Sequence, residues 1–241
     1  MYSFNSRIRY SEVGSDSKLT LLALLNYFQD CATFHSEDLG VGVEYLSAIH
    51  AVWVMNFWQI DIGRYPELGE QVEICTHPYD FKLCLGLRNF CMTDVEGKRL
   101  AVANTLWTFL DTDTGRPKKP TEEMLDRYEI EPPDEMEYLD RKLVFEGVGE
   151  RQEPIEVRGH HLDTNHHVNN AQYVSMACDY VPEGFQIGRM RASYHKSALL
   201  GDTLYPVVYP EKEGSIGVAL CDEAGKPYAN VEFCSYKQAK K

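Results

Sequence analysis

Two stretches of the chain carry apolar residues at three- and four-residue spacings, which is the period of an α-helix. The first comprises Leu21, Leu25, Phe28, Ala32, His35 and Leu39, and the second comprises Ala171, Val174, Cys178 and Val181. The first helix is apolar on most sides, so we expect it to be buried and to end at Gly40. The second is predicted to run from about Asn169 to Tyr180, with Asn169 or Asn170 as its N-cap.

β-Branched and aromatic residues, which are typical of strands, dominate the segments around each predicted helix. They predict strands at residues 4–13, 52–62, 71–77, 83–93 and 99–110 in the first half, and at 155–158, 190–194, 203–208, 214–221 and 228–236 in the second. Turn residues separate consecutive strands, which favours antiparallel pairing. One helix with an antiparallel sheet, present twice, indicates an α+β fold.

Short motifs recur in the two halves, in the same order after each helix. Leu68-Gly69-Glu70 corresponds to Leu200-Gly201-Asp202, and Asp94-x-x-Gly97-Lys98 corresponds to Asp222-x-x-Gly225-Lys226. These matches predict a tandem repeat. The region between the halves is rich in proline and acidic residues, with one short helix predicted near 122–127. We therefore expect an N-terminal domain at 1–120, a linker at 121–150 and a C-terminal domain at 151–241.

Composition and charge restrict the classes of protein to which the chain can belong. No apolar run in its 241 residues approaches the length of a membrane span, and the first ten residues lack the apolar core of a signal peptide. Seven cysteines without a CxxC pair favour reduced thiols and a cytoplasmic location. A net charge of −13 argues against nucleic acid as a partner.

An acid, a carboxamide and an imidazole stand at alternate positions just before the second helix: Asp163, Asn165 and His167. Asp163 or His167 can activate a water as a general base, and Asn165 can orient that water or a carbonyl oxygen. The free N–H groups at the start of the helix can stabilise an oxyanion. These parts suit hydrolysis of an ester, amide or thioester, although Asp and Asn before a helix also serve as simple caps and turn formers.

The sequence gives less support to metal binding or to a cysteine or serine nucleophile. The histidines His160, His161, His166 and His167 do not have the spacing of a helical ligand pair, and adjacent residues of an extended chain point in opposite directions, so no metal is expected. Cys178 lies on the apolar face of the second helix, which favours core packing over a nucleophile. No GxSxG motif is present.

Longer motifs spread along the chain point to one family. They are Arg9-Tyr10-Ser11-Glu12-Val13-Gly14-x-Asp16, Leu25-Asn26-x-x-Gln29-Asp30-x-Ala32-x-x-His35, Thr105-x-Trp107, Asp111-x-x-Thr114-x-Arg116 and Asp163-x-Asn165-x-His167-Val168-Asn169-Asn170-x-x-Tyr173. With these motifs the sequence resembles the acyl-ACP thioesterases of plants and bacteria over nearly its whole length, and the bacterial branch most.

The resemblance implies a tandem (double) hotdog fold, in which each half is a long central helix wrapped by an antiparallel sheet. It implies a thioester hydrolase that releases free fatty acid from fatty acyl-acyl carrier protein, with the acyl chain bound in the N-terminal domain. It maps Asp163, Asn165 and His167 onto the family's catalytic Asp, Asn and His. Acyl carrier protein is the expected partner, the chain is expected to be a monomer or homodimer, and no cofactor or metal is implied.

The sequence departs from the family in one place. The family usually has a Glu, followed in plant members by a Cys, before the Gly-Asp turn of the second domain, and this chain has Ser197 and Ala198 there. Ala198 cannot act as a nucleophile, and Ser197 is no base at neutral pH, although its hydroxyl can position a water. Ser197 and the nearby His195 are therefore auxiliary candidates for the site.

Three other functions compete with acyl-ACP hydrolysis. They are acyl-CoA hydrolysis, hydration or dehydration on a hotdog fold, and non-catalytic acyl binding, which the Ser197 substitution favours. Docking of an acidic carrier onto an acidic chain requires local positive charge. Its candidates are Lys82, Arg88, Arg116, Lys118, Lys119, Arg189, Arg191 and Lys196.

Overall fold

The computed structural model describes residues 1–236 and divides into two compact units. The first unit comprises Met1–Asn56 and Ile62–Tyr138, and the second comprises Phe57–Asp61 and the chain from Leu139 onward. Each unit contains one main helix and an antiparallel sheet, so the predicted α+β class is confirmed. None of the helices in the described part of the chain is long and apolar enough to cross a membrane.

The first unit contains four whole strands, part of a fifth, β2, and three α-helices. They are β1 (Tyr2–Arg7), α1 (Leu21–Asp38), α2 (Val43–Ala48), β2 (Ala51–Ile62), β3 (Gln71–Lys82), β4 (Leu85–Asp94), β5 (Arg99–Asp111) and α3 (Glu122–Leu125). Antiparallel pairing gives the order β1–β3–β4–β5. The helix α1 packs against β1 and β3. Phe28 of α1 meets Phe90 of β4 with ring centroids 5.4 Å apart, and both rings are fully buried, each contributing roughly 1.5–3 kcal/mol of hydrophobic stabilisation.

The second unit repeats this pattern with shorter elements. They are β6 (Glu150–Arg151), β7 (Ile155–Glu156), α4 (Asn170–Cys178), β8 (Ile187–Tyr194), β9 (Thr203–Val208), β10 (Ser215–Cys221) and β11 (Pro227–Ser235). Residues Phe57–Asp61 of β2 pair with β8, and the order continues as β8–β11–β10–β9, with β6 and β7 both on β9. The helix α4 packs against β10 and β11.

The predicted first strand at residues 4–13 is wrong in its second half. The strand β1 ends at Arg7, and Tyr10–Glu12 form a 3₁₀ helix. The cause is local, because the Glu12 carboxylate accepts the backbone N–H of Arg9 at 2.8 Å and turns the chain. The strand β3 also continues past the predicted end at residue 77, through a register shift between Pro78 and Asp80 that tolerates the proline.

Both long helices are preceded by the same tight turn. A backbone bridge closes each turn, between Val13 and Leu19 ahead of α1 and between Leu162 and Val168 ahead of α4. The residue two positions before the end of each bridge has a left-handed backbone, with φ of 62° at Ser17 and 61° at His166. The chain thus builds one turn geometry twice, with different side chains.

The recurrent sequence motifs also form matching turns. The Asp94 carboxylate accepts the N–H of Lys98 at 2.9 Å, and the Asp222 carboxylate accepts that of Lys226 at 2.8 Å. These aspartates cap their hairpins with the same side-chain bond. The repeat inferred from the motifs is therefore visible in the hydrogen bonds of each unit.

Residues 131–138 run across the sheet of the first unit, on the face opposite α1. The buried Asn89 of β4 accepts the Asp134 N–H and the Tyr138 hydroxyl with its side-chain oxygen, both at 3.0 Å. Asn89 precedes the core residue Phe90, and successive residues of a strand point to opposite faces. We call residues 131–138 the strap.

Candidate active site

The turn ahead of α4 brings Asp163, Asn165 and His167 together. Asp163 Oδ1 accepts the backbone N–H of Asn165 at 2.8 Å and that of His167 at 3.2 Å. The Asp163 N–H donates to the His167 carbonyl at 2.8 Å, which closes the loop. The left-handed backbone of His166 lets the chain reverse within so few residues. The sequence spacing therefore becomes a single compact polar loop.

The side chains of this loop are open to a ligand. Asn165 and His167 are exposed, Asp163 is half-buried, and within residues 1–236 the Asn165 and His167 side chains make no hydrogen bond. Asp163 uses Oδ1 for the turn, and its Oδ2 has no bonding partner in the same range. A carboxylate oxygen, an amide and an imidazole are thus available for acid–base work on a bound carbonyl.

The helix α4 begins immediately after the loop. Asn169 is its N-cap and accepts the Ala171 N–H at 2.9 Å, which confirms one of the two predicted caps. The helix runs over Asn170–Cys178, and the Gln172 N–H donates to the Asn169 carbonyl at 2.9 Å, so Asn169 accepts two of the first N–H groups. The polar loop therefore adjoins the positive end of a helix dipole.

A second segment, residues 197–199, is held against the loop from both sides. The Val168 N–H donates to the Ala198 carbonyl at 3.0 Å, and the Ala198 N–H donates to the Tyr173 hydroxyl oxygen at 2.8 Å. A backbone bridge also joins His167 to Leu199. The exposed Ser197 therefore lies on a segment that is bonded directly to the loop.

Tyr173 is a site residue that the sequence reasoning did not assign. It is 2 % exposed, and burial raises its pKa to about 12, so its hydroxyl stays protonated. Its position on the apolar face of α4, four residues after the N-cap, was the available signal. A buried tyrosine normally finds a hydrogen-bond partner for its hydroxyl.

The structure orients His195 differently from the loop. Its Nε2 lies 3.3 Å from Ser193 Oγ and 3.3 Å from Asn230 Nδ2. Tyr194, between Ser193 and His195 in sequence, points to α4, where its hydroxyl donates to the Asn170 carbonyl at 2.9 Å. Since neighbouring residues of a strand alternate, Ser193 and His195 face away from that helix.

The surroundings of Cys178, and those of His160 and His161 ahead of the polar loop, favour structural roles for these residues. Burial raises the pKa of the Cys178 thiol to about 12, which disfavours the thiolate that a nucleophile needs. His161 Nδ1 accepts the Arg158 N–H at 3.0 Å, and its ring packs on His160 with centroids 4.1 Å apart. Burial, with the charges of His160 and Arg158, lowers the pKa of His161. Within residues 1–236, no three His, Cys, Asp or Glu side chains are grouped to hold a metal ion.

The eight basic residues predicted as candidates for carrier docking differ in burial and in ion pairing. Arg88 and Arg189 are 8 % and 9 % exposed, so their choice as docking residues was wrong. Four others are ion-paired: Lys82 with Asp80, Lys118 with Asp111, Arg191 with Glu232 and Lys196 with Asp222. Arg116 and Lys119 are exposed and form no ion pair with any of residues 1–236.

Comparison with known protein families matches both halves of the chain. The model of the acyl-ACP thioesterase N-terminal domain matches residues 1–128, and the model of the C-terminal domain matches residues 148–228. The second match includes the polar loop, Tyr173 and residues 197–199.

Two curated relatives have sequence identities of 24 % and 28 % to this chain. The chloroplastic oleoyl-acyl carrier protein thioesterase 1 of Arabidopsis thaliana is 24 % identical over 193 residues, covering 73 % of this chain and 53 % of the relative. The chloroplastic dodecanoyl-[acyl-carrier-protein] hydrolase of Cinnamomum camphora is 28 % identical over 242 residues, covering 89 % and 61 %. The chain thus spans about half the length of the curated relatives it matches.

Solved structures share the fold over almost all of the chain. An acyl-ACP thioesterase from Bacteroides thetaiotaomicron superposes with a TM-score of 0.87 at 21 % identity, covering 96 % of each chain. The 12:0-ACP thioesterase from Umbellularia californica superposes with a TM-score of 0.82 at 24 % identity, again covering 96 % of each chain.

Proposed function

Because the chain belongs to the acyl-ACP thioesterase family, we propose that it hydrolyses the thioester between a fatty acyl chain and acyl carrier protein. The products are free fatty acid and the carrier thiol. The observation that supports this most directly is the polar loop, in which backbone bonds hold Asp163 Oδ1 while Oδ2, Asn165 and His167 stay available. Release of fatty acid would end chain elongation.

The proposed architecture is a tandem hotdog. It is supported by the helix and antiparallel sheet in each unit and by the turn that is built twice. In this proposal residues 1–120 hold the acyl chain, residues 121–150 link the halves and residues 151–241 carry the catalytic groups. The buried aromatic residues of α1 and β4 supply the apolar surroundings that an acyl chain needs.

The proposed reaction uses water as the nucleophile. Asp163, with His167 assisting, takes a proton from the water, whose oxygen attacks the thioester carbonyl. Asn165 holds the carbonyl or the water, and the positive end of the α4 helix dipole favours the oxyanion. The tetrahedral intermediate then expels the carrier sulfur, which leaves as the thiol after accepting a proton.

Ser197 and Ala198 have different roles in the proposed mechanism. Ala198 offers only backbone atoms, both of which are engaged by Val168 and Tyr173. The Ser197 hydroxyl serves as a positioning group for the water, since its segment is bonded to the loop. His195 is the weaker auxiliary candidate, because it faces away from α4.

Thiol release from acyl-ACP and acyl-CoA of several chain lengths tests the proposal. We expect faster release from acyl-ACP, and a loss of at least about 100-fold in kcat in Asp163→Asn, which keeps the Oδ1 acceptor of the turn but removes the base. The matched control is Asp16→Asn, since Asp16 accepts the Lys18 N–H at 3.1 Å in the equivalent turn of the first unit.

Three outcomes would contradict the proposal. Faster release from acyl-CoA would identify an acyl-CoA hydrolase. An enoyl or hydroxyacyl product would identify a hydratase or dehydratase. Binding of acyl groups without release, by a protein whose fold is verified by circular dichroism, would identify a non-catalytic acyl-binding protein.

A further inference from the structure

Two cysteines of the first unit lie directly opposite one another in the sheet. Cys75 of β3 and Cys91 of β4 are register partners in the antiparallel pair. Their sulfur atoms are 2.6 Å apart, and the residues are 6 % and 8 % exposed. The 15 residues between them form one hairpin, so the contact joins its two arms.

This placement suits a covalent link. Residues directly opposite in an antiparallel pair have Cα atoms about 4.5 or 5.5 Å apart, and disulfides span Cα separations of about 4.4–6.8 Å. Both side chains also point to the same face, since direct partners share a face. The two sulfurs therefore already lie close to the length of an S–S bond, which is about 2.05 Å.

Cys31, the third cysteine of this unit's core, is placed differently. Its thiol donates to the Ile74 carbonyl at 3.6 Å, on the α1 side of the sheet. Cys75 follows Ile74 and points to the other face, the one that the strap crosses. Cys31 is therefore a neighbouring buried thiol without a register partner, which makes it a matched control.

We propose that Cys75 and Cys91 form an oxidisable dithiol that a small hydroperoxide converts to a disulfide. One thiolate attacks the peroxide oxygen, giving a sulfenic acid and releasing water or an alcohol. The sulfur of the second cysteine, still a thiol, then attacks the sulfenic sulfur and forms the S–S bond, and its proton leaves with the sulfenic hydroxyl as water. Two thiols are oxidised by two electrons in total, and one peroxide is reduced.

The surroundings limit which oxidant can act. The strap crosses this face of the sheet, with Arg99 of β5 paired to Asp134 at 3.2 Å. The near-complete burial of the two cysteines opposes attack on a bulky disulfide such as oxidised glutathione and favours a small oxidant such as a peroxide. The close contact between the two sulfurs lowers the pKa of Cys91, and the same contact together with burial raises the pKa of Cys75, so Cys91 is the thiol that more readily becomes the attacking thiolate.

The test is mass mapping of the full chain after treatment with hydrogen peroxide. Free thiols are then alkylated in denaturant, with and without prior reduction by dithiothreitol. We expect a loss of about 2 Da, two fewer alkylated thiols, and a reducible cross-link between the peptides that contain Cys75 and Cys91. Cys31→Ser should show the same cross-link, whereas Cys75→Ser and Cys91→Ser should not.

A second measurement does not depend on the variants. A link across a hairpin reduces the conformational freedom of the unfolded chain, so the oxidised wild type should melt at a higher temperature than the reduced one. The proposal is overturned if all seven thiols of the peroxide-treated protein remain alkylatable, if the two sulfurs become sulfinic acids instead, or if the cross-link joins another pair.

Discussion

At the scale of single residues, the hydrogen bond between Tyr173 and Ala198 is a difference between the two units, because it has no counterpart in the first unit. The first unit has Pro66 in the place of Ala198, since the Leu19 N–H donates to the Pro66 carbonyl as the Val168 N–H donates to that of Ala198. A proline has no N–H, so the second bond is available only in the half that carries the polar loop. Tyr173 therefore acts as a positioning residue for residues 197–199.

Tyr173→Phe tests this role, because it keeps the buried ring and removes the oxygen. We expect kcat on acyl-ACP to fall roughly tenfold, about 1.4 kcal/mol, with KM within about twofold of wild type. The control is Tyr194→Phe, which removes a buried hydroxyl from the adjoining ring without touching Ala198. Equal losses of kcat in both variants would show that Tyr173 has only a packing role.

At the scale of elements, α1 is joined to the sheet by a buried polar contact. The Arg88 guanidinium of β4 donates to His35 Nδ1 at 3.0 Å and to Thr76 Oγ1 at 3.1 Å, and it lies over the Tyr128 ring at 5.7 Å. Burial, together with the Arg88 charge, lowers the pKa of His35 to about 4. His35 is therefore neutral in the folded protein at neutral pH.

This contact predicts a dependence of stability on pH. His35 takes up a proton near pH 6.5 in the unfolded chain but only near pH 4 in the folded chain. The free energy of unfolding is therefore highest above pH 6.5 and decreases as the pH falls from 6.5 to 4. The loss from His35 is roughly 3 kcal/mol. Urea unfolding at pH 7 and pH 5 should show a smaller fall in His35→Gln than in wild type or in His50→Gln, which alters an exposed histidine. Equal falls in all three would exclude His35 as the source.

Local patterns predicted the elements well, because caps and spacings lie within a few residues of each other. The cap at Asn169, the extent of α1 and the positions of most strands follow from such patterns. The Tyr173–Ala198 bond, the Cys75–Cys91 contact and the burial of Arg88 join residues far apart in the chain. Those contacts depend on strand register and on which face each residue takes, which a single sequence does not specify.

At the scale of the whole molecule, charge limits how the proposed acidic carrier can approach. The net charge is −13, and most of the basic residues considered for docking are buried or ion-paired. Arg116 and Lys119 are exposed close to each other in sequence, after β5. Positive charge of this kind affects association more than the chemical step.

Reversal of these two charges tests their part in docking. We expect the double variant Arg116→Glu with Lys119→Glu to have a KM for acyl-ACP several-fold higher than the wild type, with kcat and the rate on acyl-CoA unchanged. Added salt should reduce the difference in KM between the variant and the wild type, because it screens the charges. The matched control is Lys98→Glu with Lys226→Glu, which changes the net charge equally at the two exposed hairpin turns. A similar KM increase in the control would assign the effect to overall charge.

The turn that is built twice has a consequence for how this chemistry can arise. In the first unit, Gly14, Asp16 and Lys18 occupy the positions that Asp163, Asn165 and His167 occupy in the second. A Cβ at Gly14 would lie 3.4 Å from Asp16 Oδ1, an ordinary contact, so this backbone accepts a side chain there. One backbone turn therefore carries the proposed catalytic groups in the second unit and unrelated side chains at the same three positions in the first, so substitutions on an existing turn are enough to introduce these groups.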